Sequence, residues 1–133
     1  AENAGGGGAP AGPVDFGVLL ESALGAVAAL GEEMGGNDAP SEADFDAAQK
    51  RVEELQIEKL QPLVDARERL VVRLGMAGFA AVFGPLSAGE RNLNRTWSAL
   101  VDRHWPEASS SAATSAAFLG EAQTELEKHT PAA

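Results

Sequence analysis

The sequence predicts an all-α fold: an up-and-down four-helix bundle with a long second helix kinked near Pro62. Three observations carry the prediction. Apolar residues recur at three- and four-residue spacing along most of the chain, the signature of one helical face. No strand-like alternation of apolar and polar residues persists beyond a few positions. Helix-start and helix-stop chemistry divides the chain into segments of helical length.

Residues 1–13, "AENAGGGGAPAGP", lack that periodicity and are rich in Gly and Pro. They read as a flexible tail ahead of one helical-bundle domain over 14–130, because such a segment buries too little to offset its ordering entropy. The first helix is expected from Val14 to Met34. Leu20, Leu24, Val27, Leu30 and Met34 share a face, Asp15 is the N-cap, and "GGND" ends the helix through a left-handed glycine. "PSEAD" opens the second helix, with Ser41 as N-cap and Asp44 three residues later as a capping box. Phe45, Ala48, Val52 and Leu55 form its stripe.

Pro62 lacks a backbone N–H and crowds the carbonyl four residues earlier, which predicts the kink. Beyond Leu70 the segment is apolar on nearly every side, with Gly75 and Gly78 small enough for close approach or local loosening. "FGPLSAGE" then reads as a stop at Gly84-Pro85 and a restart capped by Ser87. That gives a third helix from about Ala88 to Trp105, ended by Pro106. A last helix from about Ser110 to His129 carries Ala112, Ala116, Leu119 and Leu126.

The chain has 133 residues, 44% of them hydrophobic, with five Phe, two Trp and no Tyr or Cys. A core built of Ala, Leu and Val needs a long contact surface, since each small side chain buries little. Without cysteine there is no disulfide, thiolate nucleophile or Cys-held metal. The net charge of −10 disfavours nucleic acid as a ligand, because phosphate neutralisation drives that binding. Residues 1–49 hold nine acidic side chains and no Lys or Arg, while residues 50–103 hold nine basic and seven acidic ones. The acidic front is therefore expected to face the basic middle, within the monomer or across an interface.

Catalytic and cofactor motifs are missing from the sequence. The acidic run around Asp38, Glu42, Asp44 and Asp46 does not fit the EF-hand loop. The residues three before His104 and His129 are Val101 and Leu126, so no Glu-x-x-His pair serves a di-iron bundle. No G-x-S-x-G, phosphate loop or H-E-x-x-H occurs. The expectation is a chain with no catalytic residues, no metal and no cofactor.

Two functional readings follow. The first is a non-catalytic interaction or assembly module, one subunit of a homo- or hetero-oligomeric complex. Its contact surface would be Leu74, Phe79, Val82, Phe83 and Leu86, because this apolar stretch exceeds what a small monomer covers. The alternative is a carrier or sensor of a small anionic ligand. Its pocket would be lined by Arg91, Asn94, Arg95, Trp97 and His104 on the third helix, where guanidinium forks suit carboxylate or phosphate. The expected partners are a protein or a second copy. No apolar run reaches the length of a transmembrane segment, and residues 74–86 are read as core more than as a membrane-surface contact. The polar, Gly-rich start without Met suggests an exported, extracytoplasmic chain, with the cytoplasm as the other location.

Overall fold

A computed structural model describes residues 15–130; the tail assigned to 1–13 and the helix start at Val14 lie outside the described residues. The fold is an all-α bundle of four helical arms, with no strand among the described residues. The arms are α1 (Phe16–Gly35), α2 (Glu42–Leu55) continued by a π turn (Gln56–Leu60) and the short α3 (Gln61–Asp65), then α4 (Arg67–Val101) and α5 (Trp105–His129).

Local chemistry sets the first two starts. The Asp15 carboxylate accepts from the Gly17 N–H at 2.9 Å. Ser41 Oγ accepts from the Asp44 N–H at 3.1 Å while the Asp44 carboxylate accepts from the Ser41 N–H at 2.9 Å, a complete capping box. These bonds satisfy N–H groups that have no partner within the helix. The end of α1 differs from expectation: Gly36 is right-handed, with φ −86°, and its N–H bonds back to the Glu32 carbonyl at 3.1 Å while the Asn37 N–H bonds to that of Met34 at 3.2 Å.

Pro62 sits in the first turn of α3, and the irregularity that accommodates its missing N–H precedes it as the π turn. Ala66, with φ −89° and ψ 2°, separates α3 from α4. The stop expected at Gly84-Pro85 does not occur: α4 runs through Pro85 as one element. Losing a single backbone bond there is outweighed by the packing of the flanking turns on α5. The break in α4 lies instead at Gly75, with φ 76° and ψ 172°, a region only glycine enters readily.

The boundary at the last turn also moves. Pro106 opens α5 instead of ending α4, since it occupies the first helical turn behind Trp105. Asp102, Arg103 and His104 make the connection, and Arg103 takes the left-handed conformation at φ 61°.

The core is a stack of leucines and small residues. Leu20, Val27, Val52, Leu63, Val82, Leu86, Leu93, Leu100, Ala112 and Leu119 are all fully buried. The antiparallel pair α4–α5 is the tightest seam. A Cβ on Gly89 would lie 3.0 Å from Leu119 Cδ2 and 3.2 Å from the Ser115 carbonyl, so only glycine lets the helices come this close. The buried Ser115 hydroxyl donates to the Gly89 carbonyl at 2.7 Å across that seam. Gly31 faces the Ala113 backbone on the α1–α5 side less tightly, with a Cβ position 3.4 Å away, an ordinary contact distance. Close backbones raise dispersion contact where side chains are too small to supply it.

Cross-element ion pairs tie the acidic front to the basic middle. Glu33 pairs with Arg51 at 2.6 Å and Asp15 approaches Arg73 at 3.7 Å. Arg103 meets Glu42, and also Asp46 at 3.0 Å, while its guanidinium lies 5.1 Å from the centre of the Phe45 ring. All are solvent-accessible pairs, so they orient the arms more than they stabilise them.

Candidate interaction surface

α4 is covered unevenly along its length. Its rear turns are held by α5 on one side and α2 on the other, where Trp97 Nε1 donates to Glu53 at 2.9 Å and Gln56 donates to Asn94. The front turns have less above them. Phe79 stacks on Phe83 at 4.6 Å, and Phe83 reaches Phe16 of α1 at 6.0 Å, which closes one side. The other side is open: Val72 is 87% exposed and Met76 67%. Ala80 and Gly84 continue the open face from Met76 at four-residue spacing, and Ala77 is exposed beside them. Arg67, Arg69 and Arg73, all exposed, border its beginning.

The contact residues expected from sequence fall differently. Val82 and Leu86 are completely buried and belong to the core, a correction to their assignment as partner-binding residues. Leu74, Phe79 and Phe83 are half-buried and packed against that core. The reason is helical phase. An apolar segment turns one face inward whatever its composition, and the break at Gly75 decides which residues that face contains. Val72 and Met76 flank the break and were missed, because their exposure depends on a backbone angle that no residue pattern announces.

A second correction concerns membranes. Glycine and proline do not end the helix at Gly84-Pro85, so Arg67–Val101 includes an 18-residue window of mean hydropathy 1.6 with at most two charged residues, and 22% of that window is buried. The expectation of a chain with no transmembrane segment, and with residues 74–86 as core more than membrane-surface contact, is overturned to this extent: by length and composition alone one helix suffices to cross a membrane, its turns interrupted at Gly75.

The residues assigned to an anion pocket do not converge. Arg91 and Arg95 are exposed and make no ion pair among the described residues. Asn94 is held by Gln56, and half-buried Trp97 by Glu53. His104 lies beyond the helix, ahead of α5, exposed and 3.6 Å from Glu107. Leu93, Thr96 and Leu100 take the inner face instead. Thr96 is buried because its hydroxyl donates to the Asn92 carbonyl one turn back, which removes the cost of burying it.

Electrostatic shifts concentrate at the opposite end of α2. The hydrogen bond from Arg103 holds the Glu42 carboxyl below its usual value, and the Ser41 N–H followed by the Asn37 amide does the same for Asp44. Glu42 in turn raises Arg103. Each shift favours the charged form, the pattern of structural pairing and capping, and none produces a group poised to exchange protons near neutrality. Among the described residues no three His, Asp or Glu side chains gather where a metal ion could be held. Comparison of the chain with protein-family models, with curated proteins and with solved structures gives no match.

Proposed function

We propose that this chain is a non-catalytic helical-bundle interaction module, a subunit of a larger assembly that makes contact through the open face of α4. The observation that carries the reading is the exposure of Val72 and Met76 on a helix whose opposite face is core. Val72 lies just before the Gly75 break and Met76 just after it, and exposed apolar surface concentrated in one stretch of chain marks a contact surface. The border of arginines gives such a surface orientation without adding to its apolar area. Catalysis has no support in the geometry of the described residues, among which no nucleophile, base and orienting group are brought together.

The test is native mass spectrometry of the chain beside its Val72→Asp/Met76→Asp variant, with circular dichroism as the control for folding. An assembly lost in the variant while helicity is retained supports the reading. A wild-type chain that stays monomeric with every protein offered, and floats with phosphatidylcholine vesicles, would replace it with a bilayer contact.

A further inference from the structure

At the end of the bundle away from the Gly75 break lies a cleft of about 470 Å³, between the last turn of α1, the loop to α2 and the start of α5. Its wall is apolar: Met34, Phe45 and Trp105, with Pro40 and Pro106 at the sides. Phe45 and Trp105 meet edge to face at 5.1 Å, which fixes both rings. The Trp105 indole N–H donates to the Met34 carbonyl at 3.0 Å, so the largest ring of the wall presents no free donor to an occupant. A volume of this size suits a small organic molecule.

The charge around the opening selects among such molecules. Arg103 borders the cleft, but its guanidinium is engaged by Glu42, Asp46 and the Leu100 carbonyl, which leaves it poorly placed to receive an anion. Asp38 on the opposite lip makes no hydrogen bond or ion pair among the described residues. The last turn of α1 brings Glu32 and Glu33 and no basic residue to a helix end that is already negative. Among the described residues that line the cleft itself, Asp38 is the one carboxylate and Arg103 the one guanidinium, and with Arg103 engaged by Glu42 and Asp46 the charge left free at the opening is that of Asp38. From the fit of this rim to the apolar wall we infer that the cleft binds a small organic cation, an ammonium carried on an apolar or aromatic body. The body fills the space against Met34, Phe45 and Trp105, and the ammonium faces Asp38 and the carboxyl end of α1.

The experiment uses the full chain with Trp97→Phe, which leaves Trp105 as the sole tryptophan, and follows its indole N–H resonance and emission. Three probes of one shape are titrated: phenethylammonium, 2-phenylethanol and phenylacetate. The expected result is a saturable response to the cation, weaker for the alcohol and absent for the anion. Asp38→Asn should weaken the cation by about threefold to tenfold, with the thermal midpoint unchanged. Equal responses to the three probes, no saturable response to any, or unaltered cation binding in Asp38→Asn overturns the inference.

Discussion

The two halves of α4 share a composition of Leu, Val, Ala and Gly and behave differently. From Leu86 to Leu100 the helix is clasped by α5 and α2, and Leu86, Leu93, Ala99 and Leu100 vanish from solvent. Around Gly75 the same kinds of residue stand in water, and the helix breaks. Hydrophobicity alone therefore does not decide burial here; the number of neighbouring arms does. The rear half has two partners and the front half little beyond α5 and the start of α1.

The comparison can be broken most forcefully by truncating one large apolar side chain in each half to alanine. Leu93→Ala leaves a cavity in the clasped half and should cost about 2–5 kcal/mol, whereas Val72→Ala should stay within about 0.5 kcal/mol. Urea midpoints of the two variants measure this directly, and similar losses would mean the front half is also enclosed. Next come the two glycines. Gly89→Ala must push Leu119 or part the α4–α5 seam, at about 1–3 kcal/mol. Gly75→Ala meets no neighbour within 4 Å, yet should cost a similar or smaller amount because its φ of 76° is strained for any Cβ. Combining Gly75→Ala with Val72→Ala should give simple additivity, while Gly89→Ala with Leu119→Ala should not, since only the second pair is in contact.

The smallest effect belongs to the turn that closes the rear half. Glu42 and Asp44 have lower carboxyl pKa values folded than unfolded, so the unfolded chain binds more protons in acid. Their contribution is complete above the ordinary carboxylate range, about pH 4, and is lost as pH falls through the lowered folded values. Arg103→Ala should remove the Glu42 part of that acid loss and leave the Asp44 part. Stability measured at pH 7 and pH 3 in both chains isolates it, because the strain of a left-handed residue is the same at either pH.

Where structure followed from neighbours in sequence, it could be read. Asp15, Ser41 and Asp44 cap as their spacing implies, and Phe45, Ala48, Val52 and Leu55 line up inward because one helical face needs only periodicity. What could not be read depended on contacts between distant residues. Pro85 and Pro106 carry identical local instructions to stop, yet one lies inside α4 and the other begins α5. A proline ends a helix only when nothing else holds the turns together, and the seam with α5 holds them around Pro85. Ser87, three residues before Glu90, resembles a cap but has no helix end to cap. The cleft joins Phe45 to Trp105 across sixty residues, and its only sequence trace is an aromatic beside a proline.

The π turn at Gln56–Leu60 has a consequence for how length can vary in this chain. Its ring, closed from the Gln61 N–H to the Gln56 carbonyl, holds one residue more than an α turn. Removing any one exposed residue from it, Ile57 or Glu58, would shorten the loop of backbone without rotating α2 against α3, so Leu55 and Leu63 would keep facing inward. A deletion anywhere else in these helices turns the remainder by about 100° and exposes its stripe. The chain thus holds a spare residue here, a place where a genetic deletion leaves the architecture standing.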